Sequence, residues 1–487
     1  MDERRSIALD AGRQPAGTRT RRATAAAKRE SFTDAAPAKF LSRDERVAEG
    51  KALRDKVPRE AHASFKTPSK GRDPIALLEK SNRDRLPELV PIRYGRMLRS
   101  PFTFLRGSAG VMASDLATTP SSGVRVQACG DCHLSNFGMF ATPERNLVFD
   151  INDFDETLPA PWEWDVKRLA ASFVVAARDN RCSADESREA AVECVRAYRE
   201  HLRECSKKSP LDVWYERLDT QSLIERAPDA RARKTRAGMA AKARQRIGEF
   251  LLPRISTGVS GRRRLIDQPP VLFHVPDDDA EARFRAGLED YRLSLPDDRR
   301  VLFDRYHFED VALKVVGIGS VGTRCYVALL FSDDGHPLIL QFKEACTSVL
   351  APYAGKSVYE NQGQRIVVGQ RLMQSSSDIF LGWAHSHHRF HFFGRQLRDM
   401  KFAIPIEGAS AAELKRYAGI CGIVLARAHA RSGDAARISG YLGKSDVFDQ
   451  AVGQFAVAYS QQTVRDHAVL IAAVKSGRID ALVETDL

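Results

Sequence analysis

At 487 residues with 43% hydrophobic content, the chain exceeds a single ordinary core and suits two lobes or two to three domains. Its apolar runs fall short of the ~18 residues a membrane-spanning helix needs, no signal-type apolar segment opens the sequence, and eight scattered cysteines fit reduced thiols; a soluble cytoplasmic protein is expected. The net charge of +12 admits nucleic acid, but no aromatic residues interleave with the basic runs at 19–29, 231–246 and 262–264, so nucleic acid is not favoured over ATP or a phosphorylated substrate.

Residues 1–47, rich in Ala, Arg, Thr and Asp without an apolar period, read as a mobile basic tail. Residues 74–89 and 101–116 read as helices. Within residues 93–106, Arg96 and Arg106 either face a site as phosphate or substrate contacts or lie on a solvated face. Residues 124–128 form a short predicted strand running into a tight Gly130 turn, and residues 146–151 form a second strand after a turn at 142–146. Long amphipathic helices are expected at 162–177 and 186–205, and a basic helix at 230–250. Residues 251–300 are mixed in pattern and read as an insertion that could carry substrate determinants.

The stretch Cys129-Gly-Asp-Cys-His-Leu-Ser-Asn-Phe-Gly138, followed by Val148-Phe-Asp-Ile-Asn-Asp-Phe-Asp-Glu156, carries the chemistry. Phosphoryl transfer needs a carboxylate to orient or deprotonate an attacking hydroxyl, and an amide oxygen with a second carboxylate to hold the magnesium that bridges ATP phosphates. Asp131, Asn136 and Asp153 fit these roles in that order. Strand alternation leaves Asp150 as a rival to Asp153 for the metal. His133 either orients Asp131 or packs within the loop. Cys129 and Cys132 form a lone Cys-x-x-Cys with no second pair, which argues weakly for a metal.

Asp131 with Asn136, then Asp153, resembles the catalytic loop and metal-binding Asp of the protein-kinase-like superfamily, above all its aminoglycoside and choline phosphotransferase branch. The resemblance implies that Asp165, in Pro161-Trp-Glu-Trp-Asp165, ties the catalytic loop down. More narrowly, Arg93-Tyr-Gly-Arg-Met-Leu-Arg-Ser-Pro-Phe102, Gly-Asp-Cys-His133, Asn152-Asp-Phe-Asp-Glu156 and Gly382-Trp383 resemble an uncharacterised bacterial family, domain of unknown function 2252, over nearly all of the chain beyond about residue 48. That family supplies no established substrate.

A kinase also needs a glycine loop and a lysine, and these come late. Residues 314–330 read as strand, Gly317-x-Gly319-x-x-Gly322 turn and strand, where glycines let backbone amides approach phosphate oxygens. A third strand, 338–343, ends on Lys343, placed to reach the α and β phosphates. Because the motif opens into a strand, the kinase type fits better than the dinucleotide type; the alternative is a plain glycine hairpin with a surface lysine. Glu360, ahead of a helix at 363–374, is either the partner of Lys343 or a solvated helix-end glutamate.

The parts therefore run in inverted order. A rival catalytic loop at His429-Ala-Arg-Ser-Gly-Asp434 fails because no asparagine follows it, so His429 reads as a packing residue at the end of a helix over 417–430. The expected fold is α+β, a circularly permuted, protein-kinase-like pair of lobes. Residues 48–304 begin the helical lobe, 305–403 form the nucleotide-binding lobe, and 404–487 complete the first. The expected activity is an ATP/Mg2+-dependent phosphotransferase; the alternatives are an adenylyl transferase, a nucleotide-binding regulatory pseudokinase, or a basic nucleic-acid scaffold.

Overall fold

The computed structural model describes residues 40–483 apart from 67–70, 247, 260–261, 276–279, 386–389 and 398. Five helices, α1 (Arg43–Lys56), α2 (Pro74–Asn82), α3 (Val90–Met97), α4 (Pro101–Gly107) and α5 (Ala109–Leu116), lead into strands β1 (Arg125–Ala128), β2 (Phe137–Ala141), β3 (Leu147–Ile151) and β4 (Leu158–Pro161). The long helices α6 (Trp162–Asp179) and α7 (Ala184–Cys205) follow, then α8 (Pro210–Tyr215), α9 (Thr220–Glu225), α10 (Ala230–Arg244) and α11 (Gly248–Ile255). Next come β5 (Ser256–Val259), β6 (Arg262–Leu265), β7 (Leu272–Phe273), α12 (Ala280–Ser294) and α13 (Asp297–Phe303). Strands β8 (Tyr306–Lys314), β9 (Cys325–Ser332) and β10 (Pro337–Glu344) precede α14 (Ala351–Ala354), α15 (Gln362–Met373), β11 (Gly382–His385), β12 (His391–Gln396) and β13 (Phe402–Ala403). The chain then returns to helix in α16 (Ala411–Ser432), α17 (Ala435–Leu442) and α18 (Val447–Lys475). This is an α+β chain, and no helix among the described residues is long and apolar enough to cross a membrane.

Serine caps set where α1, α7 and α16 begin. Ser42, Ser183 and Ser410 each accept the N3 amide while the N3 glutamate bonds the serine N–H, a reciprocal box that satisfies two otherwise unpaired donors. The first of these starts a helix inside the stretch expected to be tail, so residues 43–47 are helical; residues 1–39 lie outside the described residues. The helix expected over 101–116 is two, because the chain leaves helical geometry at Ser108. Likewise the predicted 74–89 helix ends at Asn82 and resumes as a single 3-10 turn at Pro87–Leu89.

Six antiparallel strands form one sheet in the order β11-β12-β10-β9-β8-β7. Strand β10 alternates: Leu338, Leu340 and Phe342 pack with Tyr291 of α12 and with Leu295 just after it, while Ile339 packs with Leu251 and Ile255 of α11. Residues 251–300, whose pattern was mixed, thus supply cover for both faces of this sheet. Their irregular sequence has a physical reason, since short elements capping opposite faces carry no long period.

Elsewhere the core is helical. Helix α16 packs along α7, and α18 packs along both α6 and α7. Gly422 permits the first contact, because a Cβ there would lie 2.2 Å from the Cys194 carbonyl oxygen of α7. Trp162 of α6 stacks on Tyr198 of α7 with ring centroids 5.8 Å apart. After leaving the six-stranded sheet, the chain adds β13 to the edge of the β2–β3 hairpin, pairing Phe402 with Met139 and Ala403 with Gly138.

Candidate active site

The loop from β1 to β2 is held from several sides. Gly130 has φ 85°, and a Cβ there would lie 2.4 Å from the Glu156 carbonyl oxygen, so only glycine fits the turn. Asp165, in the first turn of α6, accepts the amides of Cys129 at 2.7 Å and Gly130 at 3.0 Å. His429 reaches the same carboxylate through Nε2 at 3.2 Å, and its Nδ1 meets the Tyr198 hydroxyl at 2.9 Å. Asp165 therefore anchors this loop, and His429 is a buried bridge within that anchor. Further along, the Leu134 amide donates to Ser172 Oγ and its carbonyl accepts from Tyr417.

Asp131 receives Arg168 of α6 on Oδ1, with Nε at 2.7 Å and Nη2 also in contact. Burial raises the Asp131 carboxyl, and Arg168 works against that rise. His133 places Nε2 3.9 Å from Asp131 Oδ2. Burial first, then Arg106 and Arg168, push its imidazole well below the usual range, so the ring is neutral. Asn136 donates Nδ2 to the Asp131 carbonyl at 2.7 Å and accepts the Asn152 amide on its own carbonyl at 2.7 Å, stitching the loop to the end of β3. Its side-chain oxygen accepts no bond from the described residues.

Asp153 and Asp155 follow β3. Burial would raise the Asp153 carboxyl, but Lys343, Arg395, the Asp155 amide and Lys401 outweigh it and hold the group at about 2. Asp155 receives Lys343 Nζ at 2.5 Å and Ser320 Oγ at 3.2 Å. Burial lowers the Lys343 ammonium, while Asp155 and Asp153 more than reverse it. The expectation that Glu360 partners Lys343 is corrected: Glu360 is exposed ahead of α15, and the carboxylate at ion-pair distance from Lys343 is Asp155. Asp150 is committed elsewhere. Fully buried, it pairs with Arg427 at 2.6 Å and takes the Ser375 amide and hydroxyl at 2.9 Å each. Of the two rival carboxylates, Asp153 is the one beside Lys343.

The glycine turn lies between β8 and β9 as expected, with φ 66° at Gly317 and 87° at Gly322. The Gly317 carbonyl accepts from Arg96 at 2.5 Å, the Gly322 carbonyl takes the Leu86 amide at 2.8 Å, and Arg85 bonds the Val321 carbonyl. A Cβ on Gly319 would approach the Arg106 carbonyl to 3.4 Å. The loop thus rests on the α2–α4 region, with Ser320 turned to Asp155.

One organising residue left no motif in the sequence. Arg365 of α15, 2% exposed, donates to the carbonyls of Thr157 at 2.5 Å, Asp155 at 2.9 Å and Cys346 at 2.8 Å. Its only sequence signal is a cation among apolar neighbours on a helix. Arg106 of α4 is different: its guanidinium lies 5.9 Å from the Phe102 ring, and its Nε is buried without a partner among the described residues. Cys129, Cys132 and Asp165 bring ligand atoms within 4.8 Å of one another, yet burial pushes both thiols up and Asp165 already holds two amides.

Chemically, the cluster offers an ionised carboxylate and a free amide oxygen suited to a hard divalent cation, a lysine under a glycine turn suited to phosphate, and a second carboxylate fixed by an arginine. The chain belongs to the family described as uncharacterized protein conserved in bacteria, DUF2252, whose family model matches residues 85–473. Comparison with curated proteins and with solved structures found no match.

Proposed function

We propose that the protein is an ATP- and magnesium-dependent phosphotransferase, built as a circularly permuted, kinase-like pair of lobes. The observation that carries this reading is the meeting at Asp155, where Lys343 of the third strand and Ser320 of the glycine turn bond one carboxylate two residues beyond Asp153. A phosphate clamp and a metal-holding carboxylate must address one triphosphate, and here they converge although the chain delivers them in reverse order. The order of glycine hairpin, lysine strand and helix in β8, β9, β10 and α15 adds support.

In this reading Asp131 accepts the proton of the attacking hydroxyl on Oδ2, since Arg168 occupies Oδ1. Asp165 and His429 keep the loop backbone fixed, so the carboxylate is aimed before substrate arrives. Asp153 and Asn136 would hold magnesium, which when bound neutralises charge on the phosphoryl oxygens. Lys343 supplies positive charge to the nucleotide phosphates, and the amides around Gly317, Gly319 and Gly322 line their other side.

Thermal unfolding with and without Mg-ATP tests the reading. At a nucleotide concentration of ~100 Kd, stabilisation of about 2.7 kcal/mol is expected, and Asp153→Ala should lose its magnesium-dependent part. Mass spectrometry after incubation with an acceptor library then separates transfer of phosphate from transfer of adenylate. Absence of any shift with Mg-ATP would overturn the assignment.

A further inference from the structure

The cations of the site divide into two groups. Lys343 bonds Asp155, and Arg395 donates to the Asn152 carbonyl at 3.2 Å, so both sit on the Asp153 and Asp155 side. Lys401 belongs with them, its charge acting on Asp153, Lys343 and Asp155. Helix α4 and Arg168 flank Asp131 instead. Arg168 bridges Asp131 and the Leu105 carbonyl, the latter at 3.0 Å, while the Phe102 ring meets His133 edge-on with centroids 6.4 Å apart. On this second side Arg168 is fully employed, but Arg106 makes no hydrogen bond or ion pair among the described residues. Its charge falls first on Asp131, then on Asp153 and Glu407.

A half-buried guanidinium without a carboxylate or carbonyl of its own is costly unless a ligand completes it. We propose that Arg106 binds an anionic group, carboxylate or phosphate, carried by the acceptor whose hydroxyl Asp131 addresses; the acceptor is thus a negatively charged hydroxyl compound. This rests on the phosphotransferase reading. A planar guanidinium fork suits either anion, since both present paired oxygens. The anion also orients the acceptor, because one end is fixed by Arg106 and the other lies at Asp131.

The test starts by measuring Mg·AMP-PNP affinity for the full chain and for Asp153→Ala. Failure of wild type to bind, or binding indifferent to Asp153→Ala, sinks the phosphotransferase reading and the acceptor inference with it. With the nucleotide position filled, the protein is titrated calorimetrically with glycerate, glycerol 3-phosphate and, as neutral control, glycerol. At least one charged probe should bind and glycerol should not. Arg106→Gln should weaken the charged probe by about tenfold or more, with Arg106→Lys intermediate, while Mg·AMP-PNP affinity stays within about twofold. Three results overturn the inference: neutral and charged probes binding alike, neither charged probe binding, or Arg106→Gln weakening Mg·AMP-PNP itself, which would make Arg106 a γ-phosphate contact.

Discussion

Asp150 and Asp153 stand on one short segment and meet opposite environments. Asp150 is a structural anion locked to Arg427, so Arg427→Met should cost about 3–5 kcal/mol by leaving a buried charge unpaired. Urea denaturation measures that loss, and Asp150→Asn in the same background should recover part of it. Asp131→Asn should retain Mg-ATP binding and abolish transfer, provided the proton acceptor is the free oxygen beside His133. Glu156 offers a pH handle. Burial, with Asp131 and Asp155 nearby, raises its carboxyl from 4.5 to about 7 against the Val349 amide and Arg365. The folded state therefore holds an extra proton between these values, so stability falls as pH rises through that window, by on the order of 1 kcal/mol per pH unit at most. Glu156→Gln should flatten this slope in denaturation curves recorded from pH 4 to 8.

Among the elements, α15 does the least visible work. Gly369 lets it close on the β1–β4 pair, because a Cβ there would lie 2.5 Å from Thr157 Cγ2, and Arg365 ties it to three carbonyls around Asp155. Arg365→Gln should loosen the Asp155–Thr157 segment, seen as faster amide exchange there and weaker Mg-ATP binding. Much of this level was legible. The strand after the three glycines, the strand ending on Lys343, and the apolar stripes at 162–177 and 186–205 match β9, β10, α6 and α7, whereas the strand read before the glycines starts at Lys314, where β8 ends. Polar partners were not, because who meets a buried lysine depends on how distant segments dock and not on local spacing. Glu360 was offered by its place ahead of the helix that follows Lys343, and Asp155 won by position. The break at Ser108 was equally hidden, since an apolar period continues through it.

For the molecule as a whole, the join between the six-stranded sheet and the Asp131 hairpin is short. Strand β13 follows β12 in the chain and seals the β2 edge, so the sheet that carries Lys343 and the hairpin that leads to Asp153 are linked through the segment between β12 and β13. Phe402→Gly should unseat that strand and weaken Mg-ATP binding while sparing the helical core, read as a lower thermal shift with nearly unchanged far-ultraviolet dichroism. That the glycine turn and Lys343 follow Asp131 and Asp153 in the chain was readable from sequence; that β13 would make the splice was not, as a two-residue strand carries no period.

Helix α18 supplies a wall for both α6 and α7, yet it is made after both of them. During synthesis the segment bearing Asp131 and Asp165 leaves the ribosome long before that wall exists, so the side of Trp162 that meets Phe448 of α18 must wait uncovered. A nascent chain stalled ahead of α18 should therefore be a client of chaperones and bind no nucleotide, whereas one released after it should acquire both shelter and site in a single late step.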